Sequence, residues 1–373
     1  SYTHGVVLSA FAYIDDVTGD KAFFANNTKF YDFVIKHLPY FRKNAEKYGT
    51  QASGWRNIID MHALDHCGSI GAAMIKTYLK DKNDDYLELI NIVADYISNN
   101  QFRLEDGTLA RHRPQYESVW ADDMYMSVPF LANMGVLTGD NGYFDDAVKQ
   151  VLQIADRLYI PQKELFDHGW SVTSGDYDPH FYWGRATGWT LMAMAELLGV
   201  LPEDCQGRDK ILHLYRSVIR SLAGLQDGTG FWHNMLDKTN TYLETSCTAM
   251  ITFAVAKGIN EGWINHVYGP VAVTGWNAIK TRVLENGAVD GSCEGTTFAH
   301  DNTYYYHRGA SIYSTHGYGP VLYAGAEMIR LLQNEQLDVQ EARINVRNNT
   351  FHYRLKSEWP EKSICTQWVE CVQ

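Results

Sequence analysis

The sequence predicts an all-α fold, a six-hairpin α/α toroid or (α/α)6 barrel, on three observations. Asp-bearing turn signals recur at Asp106, Asp167, Asp227 and Asp290, in steps of 61, 60 and 63 residues, so that 373 residues make about six units. Between the signals, apolar residues fall at helical spacing. Strand-like alternation is scarce before Ile344 to Tyr353, and nine prolines are too few for a loop-rich fold.

Two helices are expected near the start, around Val6–Tyr13 and Phe23–Leu38. Leu64–Leu79 follows, with Ile70, Ala73, Met74 and Tyr78 on one face, and then Asp84–Ile97 with Leu87, Ile90, Val93, Ala94 and Ile97. Later pairs are Asp122–Leu137 with Phe144–Leu158, Ala186–Leu198 with Lys210–Leu222, and Thr245–Gly258 with Val267–Val283; Leu322–Leu332 is the last strong helix. Helices of inner type begin near residues 4, 62, 121, 185, 245 and 314. Several are rich in Gly, Ala, Ser and Met, as close helix approach requires. Their alternates carry charge on one face, as a solvated outer ring would. No linker divides the chain, so residues 1–373 read as one catalytic domain with a short extended tail from about 341. An open α-solenoid could be built from the same pairs. The non-helical loops differ from one another and carry the polar–aromatic motifs, which favours a toroid with one active-site end.

Composition narrows the function. Hydrophobic residues make up 45% and charged residues 20%, enough for a full core. The net charge is −12 with no Lys/Arg cluster, which argues against nucleic acid. No apolar run is long enough to span a membrane. Aromatics reach 13%, and such rings fill cores and stack on sugars. Six scattered cysteines hold no CxxC pair, so neither a zinc nor a redox motif is supported.

Three motifs carry candidate chemistry. In Trp120-Ala-Asp122-Asp-Met-Tyr-Met126, the two aspartates stand at a helix start. One or both can act as caps. Alternatively, one opens into a cleft beside Trp120, where an apolar ring and a neighbouring carboxylate raise its pKa into the range of a general acid. Asp65, in Leu64-Asp65-His66-Cys67-Gly68, holds the equivalent place one repeat earlier; it reads as a cap, or as a carboxylate set side by side with Asp122 at one end of the toroid. In Trp183-Gly-Arg185-Ala-Thr-Gly-Trp189, two indoles flank a guanidinium. This suits a sugar carboxylate, or a buried stack that only joins helices. Gly184 and Gly188 are expected to let a ligand approach the backbone. His112 and His168 follow repeat turns, and His316 opens the last inner helix. These histidines are read singly, and no metal is proposed.

These motifs resemble the unsaturated uronyl hydrolases. The nearest match is to the unsaturated rhamnogalacturonyl hydrolases of glycoside hydrolase family 105, with the unsaturated glucuronyl hydrolases of family 88 as cousins. The resemblance runs from about Asp65 to about Leu332 and also includes Glu244-Thr-Ser-Cys-Thr-Ala-Met and His316-Gly-Tyr-Gly-Pro. It implies an (α/α)6 barrel, a general acid/base at Asp122 and a supporting carboxylate at Asp65. It further implies substrate contacts at Trp120, Met126, His112, His168, Trp183, Arg185, Trp189 and His316, with no cofactor. One departure stands beside Asp65: the family often reads Asp-Asp-Cys-Gly, where this chain has Asp65-His66-Cys67-Gly68.

The implied reaction removes a 4,5-unsaturated uronic acid from the non-reducing end of a lyase product by hydrating its C4=C5 bond. Rhamnogalacturonan fragments lead, with glucuronyl–rhamnose from ulvan or arabinogalactan as the alternative. A conventional inverting glycosidase or epimerase, and a non-catalytic carbohydrate-binding toroid, are the competing classes. The expected partner is a saccharide alone, with the chain a monomer or homodimer, in the periplasm before the cytoplasm.

Overall fold

The computed structural model describes residues 1–53, 55–173 and 180–333, together with the backbone of three later strands. In chain order the helices begin with α1 (Tyr2–Thr18), α2 (Lys21–Tyr48), α3 (Arg56–Ile59), α4 (Leu64–Asp81) and α5 (Leu87–Asp95). After strand β1 (Ser118–Trp120) come α6 (Ala121–Thr138) and α7 (Asn141–Leu158). Strands β2 (Tyr159–Ile160), β3 (Leu165–Phe166) and β4 (Gly169–Ser171) precede α8 (Gly184–Leu198) and α9 (Arg208–Leu225). Then follow β5 (Trp232–His233), β6 (Leu243–Glu244), α10 (Thr245–Asn260), α11 (Gly269–Lys280), α12 (Asn302–Tyr306) and α13 (Tyr318–Gln333). Later strands β7 (Val339–Asn345), β8 (Thr350–Leu355) and β9 (Val369–Val372) form an antiparallel sheet, and the tail expected from about 341 falls partly on them and partly outside the described residues. Among the described residues no helix is long and apolar enough to cross a membrane.

The six helices of inner type start at 2, 64, 121, 184, 245 and 318. Five starts lie within two residues of expectation. The sixth is four residues late, because residues 315–317 form a turn in which His316 Nδ1 meets the Ser314 hydroxyl at 3.0 Å. Helix α2 runs on to Tyr48, through Pro39, where a sequence reading stops the helix. Burial separates the two helix types. Almost every residue of α6 and α10 is buried, whereas α2 and α7 bury one stripe.

The chain divides into two compact units. The first comprises Ser1–Leu158, His168–Asp178 and Glu196–Ile211; the second comprises Tyr159–Asp167, Pro179–Ala195 and Leu212–Gln373. In the first unit α1 packs on α4 and α4 on α6, with α2, α5 and α7 against them. In the second, α10 packs on α13 and α11 lies against both. Glycines set the spacing. A Cβ on Gly68 would stand 1.6 Å from the Met126 carbonyl oxygen, so only glycine lets α4 and α6 meet there. The repeating aspartates are largely turn residues: Asp106 and Asp227 each accept from the backbone N–H and hydroxyl two residues on.

Candidate active site

Local structure in the first unit converges on the start of α6. Strand β1 pairs with β4, Trp120 opposite Gly169, and Ala121 N–H donates to the His168 carbonyl at 2.9 Å. That ladder fixes His168 beside the first turn of α6. On the other edge of β1, Arg111 pairs with Ser118 through two backbone hydrogen bonds. Three segments distant in sequence thereby gather around Asp122 and Asp123.

Neither aspartate is the N-cap of α6. Trp120 holds that position, and Ala63 holds it for α4, so Asp65 is not a cap either. Asp123 is fully buried. Arg111 donates to it from Nε, at 3.0 and 2.8 Å to the two oxygens, and from Nη2 at 2.6 Å. The same guanidinium donates from Nη1 to Asp65 Oδ2 at 2.9 Å and from Nη2 to Asp65 Oδ1 at 3.3 Å. It lies 4.2 Å above the Trp120 ring. Asp122 keeps 9% of its surface exposed, with Oδ2 3.3 Å from His168 Nε2. The fully buried His168 ring meets Trp120 edge-on, centroids 5.6 Å apart.

Two carboxylates thus share one arginine, with the charge of Asp122 close by. Burial pushes the Asp123 carboxyl up to about 6; Arg111 pulls it back, and Asp65 and Asp122 add to the rise. Burial works to lower the Arg111 pKa, but Asp123 and Asp65 outweigh it and hold the guanidinium well above its usual value. The helix dipole adds a further preference for negative charge at these first turns.

Of the other expected residues in this unit, Met126 is buried in α6 with its carbonyl against Gly68. His112 is exposed and sandwiched between Phe102 and Tyr116, at 3.7 and 5.2 Å between centroids. On either side of Asp65 in the sequence, the His62 and His66 rings stand 4.3 Å apart and nearly perpendicular. Among the described residues no group of three or more His, Cys, Asp or Glu could hold a metal ion.

The second unit carries Trp183, Arg185, Trp189 and His316. Both tryptophans are buried, and Trp183 Nε1 donates to Asn234 at 3.0 Å. Arg185 is buried and stacks 4.5 Å over Trp183. Its Nη1 donates to the Cys293 carbonyl at 2.5 Å and to Ser246 Oγ at 3.3 Å, and its Nη2 to the Glu294 carbonyl at 2.6 Å. The same 293 carbonyl accepts from Ser314 Oγ, the hydroxyl next to His316. Gly184 and Gly188 do not open the backbone to a ligand as expected. A Cβ on either would strike Cys247 or Met250 of α10, so they seat α8 against that helix. Glu244 caps α10, accepting from Ser246 N–H, Cys247 N–H and Cys293 N–H.

Arg111 is the residue the motifs did not reveal. A single arginine in an irregular loop has no periodicity, and its partners depend on the β-bridge to Ser118.

The family model for Glycosyl Hydrolase Family 88 matches residues 1–332. An unsaturated rhamnogalacturonyl hydrolase of Bacillus subtilis (strain 168) is 29% identical over 233 residues, 61% of this chain and 66% of that protein. An unsaturated 3S-rhamnoglycuronyl hydrolase of Alteromonas sp. (strain LOR) is 32% identical over 177 residues, 46% of this chain and 43% of that protein. The matched stretches span less than two thirds of these curated relatives. A solved structure of a possible GH105 member from Salmonella enterica superposes with a TM-score of 0.76 at 23% identity, covering 88% of this chain and 82% of that one. At that identity the likeness speaks for the fold, the six-hairpin helical toroid rather than an open solenoid. The motifs that resemble families 105 and 88 therefore rest on shared ancestry: the chain belongs to Glycosyl Hydrolase Family 88.

Proposed function

We propose that this protein removes a 4,5-unsaturated uronic acid from the non-reducing end of lyase-generated oligosaccharides, with Asp122 as general acid and base. The observation that carries the reading is the carboxylate cluster at the start of α6. Asp122 stands there against His168, whose ring also meets Trp120, in the unit that also holds Asp65.

Protonated Asp122 donates to C4 of the enol ether, and positive charge develops at C5 and the ring oxygen. Ionised Asp65 stabilises that charge. Water adds at C5 and gives its proton to the Asp122 carboxylate, which restores the acid. The hemiketal opens to a ketone at C5 and a hemiacetal at C1, and the hemiacetal collapses: C1 becomes an aldehyde, the C1–oxygen bond breaks, and the hydroxyl proton passes to the oxygen of the leaving sugar. One carboxyl serves both proton transfers, so its best pKa lies near the working pH. His168, 3.3 Å from Asp122 Oδ2, orients the carboxyl, and Trp120 offers the ring face. His112 and Met126 keep their proposed substrate contacts, as do Trp183, Trp189 and His316. Arg185 is reassigned. Both its terminal nitrogens already donate to the 293 and 294 carbonyls, so the role proposed for Arg185 is to hold those residues in place.

Rhamnogalacturonan fragments are the leading substrate. A glucuronyl–rhamnose substrate is the second reading, favoured by the Alteromonas relative, which is named an unsaturated 3S-rhamnoglycuronyl hydrolase. The test is loss of the double-bond absorbance when the protein meets each unsaturated disaccharide. Asp122→Asn should lose at least 10³-fold in rate, on the order expected for a lost general acid. Turnover by that variant at the wild-type rate removes Asp122 from the mechanism.

A further inference from the structure

Arg111 joins two carboxylates from two helices. Its Nε and Nη2 hold the fully buried Asp123 of α6, its Nη1 and Nη2 hold Asp65 of α4, and its plane lies on Trp120. The fork geometry is one that lysine cannot reproduce. Asp122, the third carboxylate, is adjacent in sequence to Asp123 and stands against His168. The titratable groups around the cluster are Asp65, His66 and Cys67 from α4, Asp122 and Asp123 from α6, and His168 from the segment before β4.

We propose that Arg111 is the positioning residue of this site: by pairing with Asp65 and Asp123 together it favours the charged form of both and leaves Asp122 as the carboxyl that exchanges a proton. Arg111 works through the carboxylates rather than on the sugar. Without it, three carboxyls would face one another with no cation between them. Mutual repulsion and burial would then drive protons onto Asp65 and Asp123. A supporting carboxylate that carries a proton cannot stabilise positive charge at C5. The proposal rests on the hydrolase reading for its catalytic consequence, but not for the ionisation itself.

The experiment has two arms. Carboxyl-labelled aspartate is titrated by carbon NMR in the wild type, Arg111→Met and Arg111→Lys, without substrate. Loss of the cation should raise the cluster midpoints by roughly 1–3 pH units in Arg111→Met, with little change in Arg111→Lys. In parallel, the pH dependence of double-bond loss should move upward by a unit or more in Arg111→Met. In Arg111→Lys it should stay in place while turnover falls through lost geometry. Superposed titrations for wild type and folded Arg111→Met overturn the proposal, as does an equal shift in both variants. If the methionine variant does not fold, the lysine variant decides: an upward shift of a unit or more in it refutes control by charge. Silence on every unsaturated saccharide, with the carboxyl shift still present, would remove the hydrolase reading and leave the role of Arg111 standing.

Discussion

Gly68→Ala is the substitution that most directly tests how the site is held. The added Cβ would lie 1.6 Å from the Met126 carbonyl oxygen and 2.6 Å from its carbon, and both are backbone atoms. No side-chain rotation relieves such a clash. The helices must part by well over an ångström to reach ordinary contact. Overpacking of a well-filled interior costs typically 1–3 kcal/mol, and a rigid backbone partner puts this case at the upper end. Alanine returns about 1 kcal/mol through its better helix propensity. The net loss is about 2 kcal/mol, about 2–3 degrees in thermal midpoint for a chain of this size. The same displacement carries Asp65 away from Arg111, whose bonds to it are 2.9 and 3.3 Å, while Asp123 stays with α6. A misplacement of 1 Å can cost about 10²-fold in rate. Thermal unfolding and the rate of double-bond loss are measured on the same preparation. A variant with wild-type midpoint and wild-type rate would refute the claim that this contact sets the spacing of the carboxylates.

Two further outcomes are expected. Glu244→Gln replaces a buried carboxylate that accepts from the N–H groups of Ser246, Cys247 and Cys293, so an amide there points a donor at donors. It should lower stability by about 1–3 kcal/mol, read as an earlier denaturant midpoint, and an unchanged midpoint would contradict the capping role. Asp106 is held at about 2: burial works to raise it, but hydrogen bonds from Thr108 and Arg157 outweigh burial. Because its folded pKa is depressed, its contribution is present above the unfolded carboxyl range near 4 and disappears as pH falls toward 2. Melting curves across that window should fall more steeply for wild type than for Asp106→Asn, and parallel curves would exclude the linkage.

Much of this was legible in the sequence because helix periodicity and turn chemistry are local. The inner helix at Ala121 begins where the Trp120-Ala-Asp122 motif places it, and Asp106 and Asp227 mark turns because their side chains satisfy backbone groups two residues away. The limits appear where partners are remote. Arg111 meets Asp65 across 46 residues, a pairing that no spacing rule reveals. Gly184 and Gly188 were legible as sites of close approach, but not for what approaches: α10 fills the space. Arg185 between two indoles is compatible with a ligand or with the chain itself. The carbonyls of 293 and 294, more than a hundred residues on, decide where its terminal nitrogens go.

Standing at the start of an inner helix is a condition that does not by itself single out the proposed proton donor. Asp65, Asp122, Asp123 and Glu244 all satisfy it, and their surroundings separate them. The oxygens of Glu244 collect backbone donors from its own helix and from Cys293. A carboxylate whose oxygens are taken up by backbone donors is fixed in place, which makes it a cap. Asp123 is equally enclosed, but its donor is a charged side chain shared with Asp65, so its ionisation depends on the state of its neighbours. Asp122 keeps a solvent-exposed edge and a titratable partner in His168. Proton exchange needs a route for the proton and a partner that tolerates both charge states. Of the four acids, Asp122 pairs some exposed surface with an imidazole, and that supports the proposal that it carries the proton transfers.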